Sequence, residues 1–163
     1  MPDMTLTAEA ALVRSVVHYL GQAEHLLAKL ECEPEAKALL AIQLAPDSFD
    51  TGFHLAVAIQ FAARALCQPV GADIPEIEEP CSLTSLRNLH SAVAEAIVKA
   101  PRPDWTVNVK HTAGEAQLEQ SSADYVARFA LPNMLFHLTM AYAGLRHGGV
   151  RLGKADFDGQ HEY

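Results

Sequence analysis

The stretch "FALPNMLFHLTMAYAGL", Phe129 to Leu145, constrains this chain more than any other. Read as a helix it is apolar on almost every side, and such a helix needs neighbours all round it. It is predicted to be the most buried element, running from about Ser121 to His147, with Pro132 removing one backbone donor and kinking it. Asn133, His137 and Ala141 follow one another at i, i+4 and i+8 and share a face. A buried polar pair needs partners. Either Asn133 and His137 bond to each other, or His137 joins ligands from other helices around a metal.

His147 lies beyond reach of the same ion, roughly 15 Å along the axis from His137. With Arg146 it precedes Gly148 and Gly149, where cations favour a helix C-terminus and glycine supplies the left-handed cap. Val150, Leu152 and Phe157 are expected to fold back over the end of the helices.

Upstream, three more long helices are predicted. The first, Ala8 to Leu30, places Leu12, Val16, Tyr19, Ala23, Leu26 and Leu30 along one bundle seam, with His18 and His25 on the wet side. A short segment from Glu35 to Leu40 leads into "LAPDSFDTGF", where Pro46 and Asp47 signal a turn and a helix cap. The second helix, Thr51 to Cys67, is apolar on two sides: Leu55, Ile59, Ala62 and Leu66 on one, Val57 and Phe61 on the other. His54 sits beside Phe61, partly buried. The third, Leu83 to Lys99, repeats Leu86, Leu89, Val93 and Ile97, with His90 at its boundary. Between them, "QPVGADIPEIEEPCS" reads as extended surface chain. Trp105, Val107 and Val109 alternate with polar residues, a strand pattern; with Gly114 as turn, "QLEQ" returns as a second strand, leaving His111 exposed near the turn. Ser121 and Asp124 then resemble a capping box.

Length and charge bound the function. The 163 residues suit one domain, and a formal charge of −8 disfavours nucleic acid and anionic membranes, whose affinity rests on cations. No apolar run reaches the roughly 20 residues of a membrane span, and the first residues do not read as a secretory signal, so the expected compartment is the cytoplasm. Cys32, Cys67 and Cys81 show no metal spacing and read as reduced, buried thiols. No GxSxG motif, phosphate-binding glycine loop or paired acid–base carboxylates occur; Asp47, Asp124 and Asp156 read as cap or loop residues.

"LAPDSF" at 44–49 and "ADYVARFALPNMLFHLTMAYAGLRHGGVRLGKADF" at 123–157 resemble an uncharacterised bacterial branch of the DinB-like/YfiT-like superfamily. The likeness is specific at "FALPN", "FH.T.AY" and "LRH.GV.LGK.DF". It implies an all-α, up-down-down-up four-helix bundle with a small β-hairpin before the last helix, usually dimeric. Superfamily members bind nickel or zinc through one histidine on the second helix and an HxxxH pair on the last; some are metal-dependent thiol transferases. This chain departs from that set. His137 fills the first place of the pair, Ala141 stands in the second, and Phe61 occupies the helix-two position, with His54 as a substitute two turns away. The resemblance therefore implies a degenerate metal site with no cofactor expected, inside a homodimer whose pocket (His54, Phe61, Asn133, His137, Tyr142) takes an unknown small molecule. The alternatives are a nickel- or zinc-dependent transferase or hydrolase using His137 and His54, and a purely structural interaction module.

Overall fold

Three of the four long helices start where a side chain satisfies an otherwise orphaned backbone donor. A computed structural model describes residues 7–162. In it α1 (Ala8–Glu31) begins with Thr7 accepting from the Ala10 N–H at 3.2 Å. After the short α2 (Ala36–Leu40), α3 (Thr51–Cys67) is capped by Asp50, which accepts from the Phe53 N–H at 2.7 Å. Asp47, expected near this cap, lies in the preceding turn, because the Gln43–Asp50 bridge carries the chain past it before the helix starts. Helix α4 (Leu83–Lys99) opens on a reciprocal Ser82–Ser85 capping box. The strands β1 (Asn108–Ala113) and β2 (Ala116–Ser121) pair antiparallel around Gly114, whose φ of 60° is left-handed.

Past the hairpin, the single kinked helix of expectation is three pieces: α5 (Ser122–Tyr125), a π turn at Val126–Ala130, and α6 (Leu131–His147). Pro132 explains the division. It sits in the first turn of α6, where a missing donor costs little, and the π turn widens the ladder just before it, with the Leu131 N–H reaching back to Val126 O. The Asn133 amide donates to Phe129 O at 2.7 Å, covering a carbonyl in the widened turn.

Helix α3 packs against α1, α4 and α6. Thirteen of its 17 residues are buried, so α3 and not α6 is the innermost helix. In α6 only Met134, Leu138, Ala141, Gly144 and Leu145 are buried, while Phe136 is 55% exposed. Apolar composition states which surface could be covered; it does not supply the neighbours. The α1 seam forms largely as read: Val16, Ala23, Leu26 and Leu30 are buried, joined by Leu20 and Leu27. Each such leucine contributes about 1.5–3 kcal/mol through burial.

Beyond α6, Gly149 (φ 95°) turns the chain and the Val150 N–H bonds to Leu145 O at 3.0 Å, burying Val150 and then Leu152. The last helix among the described residues is α7 (Lys154–Asp158), with Phe157 packed between Tyr19 and Tyr142. This helix half-buries His18, read from sequence as wet, while His25 stays exposed as read but gains a partner. His18 Nε2 donates to the Asp158 carbonyl at 2.7 Å, and His25 Nε2 donates to Asp156 Oδ1 at 2.7 Å, so both clasp α7 onto α1. The linker is also less free than expected. Ile74 and Ile77 pack on the core, and the Gln60 amide donates to Pro75 O at 2.9 Å. Of the cysteines, only Cys67 is buried; Cys81 is half-buried and Cys32 exposed, its position at the α1 C-cap facing water. Among the described residues no helix is long and apolar enough to cross a membrane.

Candidate functional site

Helices α3 and α6 run antiparallel in close contact. Gly144 sets the closeness, since a Cβ there would lie 2.1 Å from Thr51 Oγ1. One turn further along α3 is His54, and two turns back along α6 is His137. The crossing thus brings the imidazoles together, with Nδ1 to Nδ1 at 2.9 Å and ring centroids 5.0 Å apart. His54, read from sequence as partly buried and as the substitute ligand, thus lies directly against His137.

Aromatic rings enclose the pair. Phe61 stacks on His137 at 6.2 Å with 19° between planes, and Phe136 meets His137 edge-on at 5.1 Å and His54 at 6.2 Å. Phe49 approaches His54 at 6.0 Å and leans on Phe53 at 4.5 Å. His54 is only 4% exposed, whereas His137 is half-buried.

Burial disfavours the charged form of both rings. It pushes the His137 pKa down to about 4, with the neighbouring His54 adding to the effect. It lowers His54 as well, partly offset by the Asp50 carboxylate. At neutral pH both rings are uncharged, so one Nδ1–H donates to the lone pair of the other Nδ1. His54 Nε2 is buried without a partner. A tautomer with His54 as Nδ1 donor leaves only a lone pair there, not a stranded N–H. So weakly basic a pair is poor at abstracting protons at pH 7, but neutral imidazole is the form that ligates metals.

As a ligand set, the two rings fall short of three. Ala141, one turn beyond His137, is fully buried and offers a methyl. Among the described residues no group of three or more His, Cys, Asp or Glu could hold a metal ion. The residues present therefore do not fit the three-histidine arrangement implied by the resemblance.

The other pocket residues named from sequence separate. Phe61 joins the imidazole pair. Asn133 is engaged with Phe129 O, so the Asn133–His137 bond is not made. Tyr142 lies on another flank, against Phe157 and beneath the Arg146 guanidinium, lining a groove of about 140 Å³ with Thr139 and Lys154.

Sequence reasoning missed His111. Expected to be exposed, it is buried, with Nε2 bonded to Gln120 Oε1 at 2.7 Å and Nδ1 unpartnered. Its ring lies 4.2 Å from Phe129, which in turn approaches Phe61 at 5.8 Å. The signal was available: in β1 it shares a face with the buried Val109. Nearby, the Tyr125 hydroxyl donates to Gln68 Oε1 at 2.8 Å, and burial pushes its phenol up to about 12 against the pull of Arg64. Burial also raises Cys67, and with Asp50 and Glu79 it pushes Cys81 up to about 11, so neither is an activated nucleophile.

Two comparisons bear on this architecture. The crystal structure of a DinB family member protein from Shewanella denitrificans is similar with a TM-score of 0.77 at 25% sequence identity, covering 95% of this chain and 96% of that one. No curated protein matches the sequence. The family model described as a domain of unknown function, DUF1993, matches residues 9–158. With that span matched, and with the DinB-like likeness in three dimensions, the chain belongs to the DUF1993 family, an uncharacterised DinB-like domain.

Proposed function

We propose that this protein is a DinB-like, up-down-down-up four-helix bundle that works in the cytoplasm as a homodimer. Its centre is a two-imidazole remnant of a metal site, facing a small aromatic pocket that takes a small molecule. One observation carries this reading: the 2.9 Å contact between His54 and His137 beneath a roof of phenylalanines. Two neutral rings give a ligand one hydrogen-bond handle within an apolar enclosure, the usual build of a small-molecule site.

The dimer follows from the roof. Phe49 and Phe136 are 58% and 55% exposed, yet both lie against the buried His54. A twofold axis through such a patch sets it on its own copy. The second copy covers the open side of His137 and closes the pocket.

Metal analysis of untagged protein tests the remnant. The expected result is less than one equivalent of nickel or zinc after purification, and no stoichiometric uptake on titration. Full occupancy, lost in His137→Ala, would overturn it.

One observation favours a second reading, a nickel- or zinc-dependent transferase or hydrolase. Two nitrogens each about 2.05 Å from an ion and about 90° apart lie about 2.9 Å from each other, matching the gap between the rings. The same titration separates the readings, because this one requires tight stoichiometric binding with both imidazoles.

A further inference from the structure

A second site shares no residue with the imidazole pair. Thr7, Glu9, Ala10, Val13 and Arg14 of the α1 start face Arg102, Pro103 and Trp105 across a groove of about 530 Å³. That volume is in the range of small-molecule pockets. Its lining is mainly apolar, with Val13 and Trp105 both half-buried against the core. Arg14 and Arg102, from two separate segments, both line the groove, and neither makes a hydrogen bond or ion pair among the described residues.

That arrangement is unusual for a chain of net charge −8 with only 12 lysines and arginines. Acidic partners are abundant, yet two arginines are unpaired beside the single tryptophan. Among the described residues the only carboxylate lining the groove is Glu9, in the first turn of α1. An apolar floor rewards burial of a hydrocarbon or aryl body, while a pair of free guanidiniums rewards an anionic head with bidentate contacts. The protein's overall negative field opposes anions, so attraction must be local to these two side chains.

From the Arg14–Trp105–Arg102 groove, we infer a binding site for a small amphiphilic carboxylate, a free molecule with an apolar body of about ten carbons. The head lies between Arg14 and Arg102, and the body lies along Val13, Pro103 and Trp105.

Because Trp105 is the only tryptophan, its emission reports on the groove alone. The full-length protein is titrated with decanoate, decanol and decyltrimethylammonium, each below its micelle threshold. Decanoate is expected to give a saturable blue shift, decanol at least fivefold weaker binding, and the cation no saturation. Arg14→Ala and Arg102→Ala are each expected to raise the half-saturating decanoate concentration about fivefold, with far-UV circular dichroism unchanged. Salt at about 1 M, where the screening length is about 3 Å, is expected to weaken decanoate but not decanol. Equal responses to all three probes, or no saturable response to decanoate, would overturn the assignment. So would a shift with anionic lipid vesicles alone, or one that follows protein concentration without any probe, which would give the groove to a membrane or to a second copy.

Discussion

Thr51 and Gly144 meet where α3 crosses α6, so tightly that glycine is the only residue the position admits without movement. Thr51 Oγ1 cannot simply turn away, because it donates to Ile42 O at 2.9 Å. Gly144→Ala is therefore expected to destabilise the protein by about 1–3 kcal/mol in urea denaturation. Adding Thr51→Ala should recover part of that loss, a coupling that a double-mutant cycle measures directly. An additive cycle would mean the contact does not set the crossing.

The imidazole pair should behave asymmetrically. His137→Leu leaves the deeply buried His54 with no partner on either nitrogen, at a cost of about 1–3 kcal/mol. His54→Leu leaves a half-buried ring that water can reach, and should cost less. Replacing both at once should fall within about 1 kcal/mol of the parent, since no buried polar atom is then stranded. If the double variant is the least stable of the three, the pair is a structural necessity and not a retained site.

Acid should act through the same two rings. In the unfolded chain His137 takes a proton near its ordinary value of 6.5, whereas in the folded protein it does so near 4. Below about pH 6.5 the unfolded state binds a proton that the native state refuses, so stability falls as pH drops toward 4 and is unaffected above 6.5. The His54→Leu/His137→Leu variant should lose much of that slope in thermal melts between pH 4 and 6.5.

The two imidazoles were only partly legible in the sequence. Periodicity placed His137 inward on its helix and His54 on a partly buried face of α3, but nothing in a one-dimensional pattern fixes the register that brings their nitrogens to 2.9 Å. That register is set by the Thr51–Gly144 contact, a fact of two helices at once. The four long helices and the hairpin were readable because seam spacing and strand alternation are local. The coverage of α6 was not, since a uniformly apolar helix looks the same whether it has two neighbours or four. His111 differs, because its burial was legible: its parity with Val109 already placed it on the inner face of the strand.

Asp156 holds α7 through His25, Lys29 and the Gly153 N–H. Burial alone would raise its carboxyl, but those hydrogen bonds together keep it below the ordinary carboxylate range. Its stabilising contribution is therefore present above about pH 4 and lost as pH falls through the lowered value. Asp156→Asn should speed amide exchange in α7 by about tenfold at neutral pH, a local opening that leaves α3 and α4 protected. Global loss of protection would show instead that α7 is integral to the core.

Association should depend on the exposed phenylalanines. Phe136→Asp places a charge in the centre of the proposed contact and should shift light scattering at micromolar concentration from dimer to monomer, with little change in helicity. A parent protein that is already monomeric removes this part of the reading.

The widened turn at Val126–Ala130 works as a phase adjuster. An added residue in a helix turns everything beyond it by about 100°, so the hairpin-facing end and the imidazole-bearing end obey separate angular schedules on one continuous rod. Tyr125 and His111 can be tuned to the strands, and His137 to α3, without either compromising the other. Excising a single residue there would force a choice between the two ends, and the chain would have to surrender one set of neighbours to keep the other.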